Sequence, residues 1–134
     1  MAVVLDSDAV VGFLDRDDAL HEAADAAMRD LAGEHRILVS VVTYAEVLTG
    51  ARLGDHDEVV IGGFFTELIS AILPVDVAIA DRAAELRSRF RSLLMPDALI
   101  LASADTEPSV ELIVTGDQQI ARVSGLSCAV RLLG

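Results

Sequence analysis

Short apolar runs that end at a polar residue alternate along the chain with longer segments in which apolar residues recur every three or four positions. The clearest short runs are residues 3–5, 37–39 and 112–114, and each is followed by an acid or a hydroxyl residue. Runs of this length, rich in Val, Ile and Leu, are typical of strands buried on both faces of a parallel sheet. Residues 72–75 and 129–132 predict two further strands, and the proline in the first of them indicates that this strand lies at a sheet edge or ends there.

The longer segments have the periodicity of helices. They are residues 9–14, from about 19 to Gly33, 43–54, 58–70, from a cap at Asp76 to 90, 98–104 after an opening Pro96-Asp97, and 118–123. Strands that alternate with helices predict a central parallel sheet covered on both faces, which is a three-layer α/β/α fold. The length of 134 residues suits one domain with its own core, so we expect a single domain over residues 1–134.

Charge and composition exclude several classes of function. The formal net charge is −12, and all ten basic residues are arginines. Without lysine, P-loop phosphate binding and Schiff-base catalysis are excluded, and the acidic balance argues against broad non-specific binding of nucleic acids. The apolar runs are too short to span a membrane, and the start of the chain has no basic signal-peptide region. The single cysteine, Cys128, fits a reducing compartment, so we expect a cytoplasmic protein with Cys128 in its core.

Four acids stand near the predicted strand-to-helix junctions, namely Asp6, Glu46, Asp97 and Asp117. Each has a structural explanation by itself: Asp6 could cap a helix, and Glu46 could complete a capping box with Thr43. Asp97 and Asp117 could complement helix dipoles. However, right-handed crossovers bring the ends of parallel strands to one sheet edge, where ligands bind in open α/β sheets. Carboxylates that meet there would repel one another, and Mg²⁺ or Mn²⁺ with oxygen ligands would relieve that repulsion.

Four segments that contain these acids follow one another along nearly the whole chain. They are VLDSD at 4–8, VVTYAEVL at 41–48, LMPDALILASA at 94–104 and IVTGD at 113–117. In residues, order and spacing they resemble the PIN-domain ribonucleases, and in particular the VapC toxins of VapBC toxin–antitoxin pairs. The resemblance implies a PIN-like fold and a Mg²⁺- or Mn²⁺-dependent endoribonuclease that hydrolyses phosphodiester bonds of RNA.

The resemblance also assigns roles to residues of this chain. Asp6, Glu46, Asp97 and Asp117 correspond to the acidic catalytic and metal-binding quartet of the family. Ser7 and Thr115 correspond to supporting hydroxyls. Asp8 stands where the family often has Ser or Thr; it could support the site or cap the following helix, and we expect the cap.

The mechanistic hypothesis is that the three aspartates hold one or two cations, and that Glu46 helps to position the metal or the attacking water. No histidine is needed as a base, and we expect His21, His35 and His56 to be solvated surface residues.

Possible contacts with RNA and with proteins are less specific. Arg87, Arg89 and Arg91 lie shortly before Asp97 and could flank an RNA groove, or they could form an ordinary solvated helix face. The resemblance implies a homodimer and a VapB-like antitoxin that blocks the site. Among residues that could serve either an interface or the core, the adjacent pair Phe64-Phe65 is expected to be partly exposed, since neighbours on a helix cannot both face one core.

Three other interpretations compete with a toxin. One is a PIN nuclease of RNA maturation that has no antitoxin, and another is a catalytically inactive PIN-like domain that serves only protein contacts. The third is a phospho-acceptor receiver domain, which also gathers acids at strand ends. Receivers normally use a lysine at that site, and this chain has none.

Overall fold

Five parallel strands form one sheet in the computed structural model, which describes residues 1–134. The strands are β1 (Ala2–Leu5), β2 (Arg36–Ser40), β3 (Ala71–Leu73), β4 (Val110–Thr115) and β5 (Ala129–Leu132). Their order across the sheet is β3-β2-β1-β4-β5, and each neighbouring pair is parallel. The strand predicted to lie at an edge, β3, does so. The order reverses between β1 and β4, so the carboxyl ends of these two strands frame the crevice in which open α/β sheets bind ligands.

Seven helices cover the two faces of the sheet. They are α1 (Ser7–Leu14), α2 (His21–Leu31), α3 (Val41–Arg52), α4 (Glu58–Glu67), α5 (Val77–Arg89), α6 (Met95–Thr106) and α7 (Gln118–Ala121). None of them is long and apolar enough to cross a membrane. Asp76 caps α5 as predicted, with its side chain accepting a hydrogen bond from the backbone N–H of Ile79. The three-layer α/β/α arrangement predicted from the sequence is confirmed.

The core has two halves, one on each side of the sheet. Along β1, Val3 and Leu5 face the half formed with α1 to α4, whereas Ala2 and Val4 face the half formed with α5, α6 and α7. All four residues are buried, which explains why β1 is an unbroken apolar run. Cys128 is buried in the second half as expected.

The start of α3 differs from the sequence prediction. The helix begins at Val41, and its cap is Ser40, whose side-chain oxygen accepts a hydrogen bond of 3.1 Å from the backbone N–H of Val42. Ser40 is the last residue of β2 and is already extended, so the strand passes into the helix without a loop. The predicted capping box from Thr43 to Glu46 is therefore wrong, and Glu46 lies in the second turn of α3.

Two expectations about surface residues change with the structure. The three histidines are half-buried rather than solvated: His21 Nδ1 lies 2.9 Å from the carbonyl oxygen of Gly12, and His35 Nε2 lies 2.5 Å from Glu111 Oε1. In α4, Phe64 is buried and Phe65 is half-buried, with their rings packed edge to face. The adjacent phenylalanines thus divide between core and surface as predicted.

Candidate metal centre

Asp6 joins the end of β1 to the start of α1. Its Oδ1 accepts a hydrogen bond of 2.9 Å from the backbone N–H of Ala9, which caps the helix, and its Oδ2 accepts a short hydrogen bond from the hydroxyl of Thr115. The side chain is almost completely buried. The pKa of Asp6 is raised to about 7, chiefly by burial and to a smaller extent by the charges of Asp8 and Asp117, against the two hydrogen bonds that lower it. A buried carboxyl without a counter-charge is thus held at the sheet edge.

Thr115 connects the ends of β1 and β4. Besides donating to Asp6, its hydroxyl oxygen accepts a hydrogen bond of 2.9 Å from the backbone N–H of Asp117. Asp117 in turn caps α7, with Oδ1 accepting from the N–H of Gln119 at 2.8 Å. One threonine therefore fixes both aspartates across the point where the strand order reverses.

Asp97 reaches the same edge from α6. Because α6 leads directly into β4, it runs antiparallel to the strands and begins at their carboxyl ends. Asp97 lies in its first turn and is half-buried. The pKa of Asp97 is raised to about 7, chiefly by burial, with smaller contributions from a hydrogen bond with the Asp117 side chain and from the charges of Asp117, Asp6 and Glu46. The side chains of Asp97 and Asp117 are therefore direct neighbours in the site.

Glu46 lies on α3 and is held at the site by a hydrogen bond from Ser7. The Ser7 hydroxyl donates a hydrogen bond of 2.6 Å to Glu46 Oε1, and the Thr43 hydroxyl lies 3.5 Å from Ser7 Oγ. Because Glu46 follows the true helix start by more than one turn, its side chain is free of any capping role. The structure therefore gives Glu46 a tertiary partner, which sequence periodicity did not indicate.

Asp8 is a fifth acid at this edge and does not cap α1, because Asp6 does. The expectation of a capping role for Asp8 is wrong. Burial raises the pKa of Asp8, as do the charges of Asp117, Asp18 and Glu46 in decreasing order. Asp18, which the sequence analysis did not single out, lies in the loop between α1 and α2 and lines a cavity of about 210 Å³ beside the acids. Its side chain accepts a hydrogen bond from the N–H of Leu20 and so forms an Asx turn. An Asp that stands two residues before an apolar residue in a polar loop could have signalled this turn in the sequence.

The charges of this acidic cluster (Asp6, Asp8, Glu46, Asp97 and Asp117) are not balanced by the protein. None of the salt bridges in the structure includes any of the five. An all-oxygen donor set with unbalanced negative charge suits a hard divalent cation such as Mg²⁺ or Mn²⁺. In their present rotamers no three acidic, histidine or cysteine side chains are grouped tightly enough to hold one ion. A cation would therefore have to draw the carboxylates together.

The three arginines predicted to flank the site have different surroundings. Arg87 donates through Nε to the carbonyl oxygen of Leu93 at 2.7 Å and so holds the loop before α6. Arg89 pairs with Glu85 at 3.0 Å. Arg91 is exposed and makes no hydrogen bond or salt bridge within the protein. Of the three, only Arg91 has no partner within the protein.

Comparison with known proteins identifies the fold to which this site belongs. A model of the PIN domain family matches residues 3–126. A search of curated proteins gave no match. Among solved structures, VapBC2 of Rickettsia felis bound to a DNA fragment from its promoter aligns over 100% of both chains, with 18% identity and a TM-score of 0.78.

Two further structures have the same fold. A toxin–antitoxin complex from Klebsiella pneumoniae aligns over 97% of both chains with 22% identity and a TM-score of 0.72. VapC20 of Mycobacterium tuberculosis, described as a toxin that cleaves the sarcin–ricin loop, aligns over 84% of this chain and 87% of its own, with 13% identity and a TM-score of 0.64. At these identities the likeness concerns the fold.

Proposed function

The chain belongs to the PIN domain family, and from this premise we propose that it is a metal-dependent endoribonuclease that acts as the toxin of a toxin–antitoxin pair. The observation that carries the proposal is the acidic cluster at the carboxyl ends of β1 and β4. Its five carboxylates come from four separate helices or helix caps, and no arginine neutralises them. A group of repelling carboxylates of which one is buried and two are half-buried costs stability, and such an arrangement is typical of functional sites.

Asp6, Asp97 and Asp117 would hold Mg²⁺ or Mn²⁺, with Glu46 as a further ligand or as the group that orients water. The bound cation would supply positive charge to the phosphodiester and lower the pKa of a water molecule. The protein's own residues prepare the ligands: Thr115 orients Asp6 and Asp117, and Ser7 orients Glu46. Asp6 and Asp97 must lose their protons before they can bind a cation, since only ionised carboxylates are strong ligands.

The structural neighbours support RNA as the substrate and an antitoxin as the partner. Two of them are toxin–antitoxin complexes, and a third is described as a toxin that cleaves the sarcin–ricin loop. We propose a VapB-like antitoxin for this chain, with a basic side chain that enters the acidic cluster and neutralises it. We also propose a homodimer, as the family resemblance implies.

Cleavage of a mixed cellular RNA pool tests the nuclease. The purified protein would be incubated with the RNA in Mg²⁺, in Mn²⁺ and in EDTA, beside Asp97→Asn and a matched control, Asp76→Asn. Asp76 is an exposed helix cap outside the acidic cluster, so its substitution removes one carboxylate and leaves the site intact. We expect discrete metal-dependent cuts by the wild type and by Asp76→Asn, and none by Asp97→Asn. Failure of the wild type to cut RNA or to bind Mn²⁺ would favour an inactive PIN-like domain.

Expression in a bacterial host separates a toxin from a nuclease of RNA maturation. We expect induction of the wild type to stop growth, and co-expression of a small DNA-binding protein encoded beside it to restore growth. Asp97→Asn should be harmless at the same protein level. Cleavage in vitro together with normal growth would favour a role in RNA maturation.

A further inference from the structure

The acidic cluster has flanks of opposite charge. On one flank, the loop between α1 and α2 carries Asp15, Asp17 and Asp18, and Asp18 acts electrostatically on Asp8. On the other flank lie the loop of residues 90–94 and the short helix α7. This second flank bears arginines and no acid other than Asp117, which belongs to the cluster.

Seven of the ten arginines are committed to contacts within the protein. They are Arg29, Arg36, Arg52, Arg82, Arg87, Arg89 and Arg131. The other three, Arg16, Arg91 and Arg122, are exposed and have no hydrogen-bond or salt-bridge partner. Arg16 lies among the aspartates of the α1–α2 loop, so two unpaired arginines remain for the opposite flank.

A hydrogen bond joins the two segments that carry Arg91 and Arg122. The Ser92 hydroxyl donates to Gln119 Oε1 at 2.8 Å, which joins the loop of residues 90–94 to α7. Arg91 precedes Ser92 in the chain. Arg122 follows Gln119 by three residues and continues the helical conformation, since its backbone N–H is bonded to the carbonyl of Gln118. The side chains of Gln119 and Arg122 therefore leave the same face of α7.

The same hydrogen-bond chain leads to the carboxylates. The backbone N–H of Gln119 donates to Asp117 Oδ1, and Asp117 shares a hydrogen bond with Asp97. A phosphodiester held at the acidic cluster would therefore have its neighbouring phosphates beside Arg91 and Arg122 on one flank. On the other flank its neighbours would meet the three aspartates of the α1–α2 loop, which outnumber the single Arg16 there.

We propose that Arg91 and Arg122 bind two backbone phosphates of a single-stranded RNA, and that the strand approaches the acidic cluster across α7 and away from the α1–α2 loop. The proposal rests on the proposed nuclease function and names the residues that hold its substrate. It also suggests how a chain of net charge −12 can bind RNA, because two exposed arginines without partners lie on this flank and can bind phosphates locally despite the overall charge. Of the three arginines suggested by the sequence, it retains only Arg91.

The salt dependence of RNA binding tests the assignment. A fluorescein-labelled single-stranded RNA would be titrated with protein at several salt concentrations, with Ca²⁺ in place of Mg²⁺, and the integrity of the RNA would be checked on a gel. For single strands, each phosphate contact contributes about 0.7 to the slope of log K against log salt. We expect Arg91→Gln and Arg122→Gln each to lower the slope by about 0.7, and the double variant to lower it by about 1.4.

Arg16→Gln is the matched control, because it removes an equally exposed and unpaired charge from the acidic flank. We expect it to leave the slope unchanged. A double variant with the wild-type slope, or an Arg16→Gln protein that loses as much slope as Arg91→Gln, would overturn the assignment while the nuclease proposal stands. If the wild type binds no RNA at any salt concentration and cleaves none, the nuclease proposal fails and this assignment fails with it.

Discussion

The hydroxyl of Ser7 donates a hydrogen bond of 2.6 Å to Glu46 Oε1, across 39 positions of sequence. The bond joins the first turn of α1 to the second turn of α3 and holds the one acid that α3 contributes to the cluster. Substitution of a residue that orients a metal ligand typically lowers the affinity of the site for its metal.

Ser7→Ala should therefore weaken Mn²⁺ binding by about tenfold, the lower end of the range for such supporting residues. The fold should survive, because the hydroxyl is only half-buried and no helix cap depends on it. Calorimetric titration with Mn²⁺ measures the effect. Ser88→Ala is the control, since the Ser88 hydroxyl donates to a backbone carbonyl on the exposed face of α5. Unchanged affinity in Ser7→Ala would show that Glu46 needs no such support.

Asp6→Asn should remove a pH dependence of stability from the metal-free protein. The pKa of Asp6 is about 7 in the folded chain and has an ordinary value of 3.8 when unfolded. Between these values the unfolded chain releases the proton and the folded chain retains it. The free energy of unfolding therefore falls as the pH rises from about 4 to 7, by an amount on the order of a few kcal/mol. Asparagine keeps the helix cap but cannot ionise.

Urea unfolding in EDTA at pH 5 and pH 8 measures this difference. We expect Asp6→Asn to gain stability over the wild type at pH 8 and to gain much less at pH 5. Asp76→Asn, which replaces an exposed cap, should show no such change with pH. An equal effect of Asp6→Asn at both pH values would contradict the raised pKa of Asp6.

Asp105 should show the opposite dependence on pH. Its Oδ1 accepts a hydrogen bond of 2.6 Å from the N–H of Ser127, and its Oδ2 lies 2.7 Å from Arg82 Nε. Burial raises the pKa of Asp105, but these hydrogen bonds and the charge of Arg82 together hold it below the ordinary value. The stabilisation is present above the unfolded pKa of 3.8 and is lost as the pH falls through the folded value. Asp105→Asn should cost about 1–3 kcal/mol at pH 7, as for other hydrogen bonds to charged groups.

Thermal or urea unfolding would compare Asp105→Asn with Asp25→Asn. Asp25 pairs with Arg29 on the exposed face of α2, where an ion pair contributes little, so its loss should cost less than about 0.5 kcal/mol. Equal costs in the two variants would mean that the bridge between α6 and the segment before β5 contributes no more than a surface pair.

Substitution by alanine should raise the free energy of unfolding at one helical glycine, Gly62, and lower it at another, Gly50. A Cβ at Gly62 in α4 would meet nothing within 4 Å, so Gly62→Ala should stabilise the protein by about 0.5–1 kcal/mol through helix propensity alone. A Cβ at Gly50 in α3 would lie 2.8 Å from His56 Nε2 and closer still to the ring carbon, so Gly50→Ala must displace that ring. Unfolding in urea measures both, and a destabilised Gly62→Ala would contradict the open surroundings of that residue.

The sequence predicted the sheet because its inner strands β1, β2 and β4 are short and largely buried apolar runs, and it predicted the edge because Pro74 follows β3. It predicted Asp6, Asp97 and Asp117 near one another because they stand at strand ends or at the start of a helix that leads into a strand. It misplaced the start of the helix that carries Glu46, because a capping box and a strand that passes directly into a helix look alike when Ser40 and Thr43 are both present. It could not separate Arg91 from Arg87, because only tertiary contacts show which guanidinium is already bonded.

Direct titration with Mn²⁺ is the measurement that tests most directly whether the acidic cluster is a divalent-cation site. The wild type, Asp97→Asn and Asp76→Asn would be freed of metal and titrated in a calorimeter at pH 8, above the raised pKa values of Asp6 and Asp97. We expect saturable binding by the wild type, the same affinity in Asp76→Asn, and a loss of at least about tenfold in Asp97→Asn. Absence of binding in the wild type, or wild-type affinity in Asp97→Asn, would contradict a metal centre at the carboxyl ends of β1 and β4.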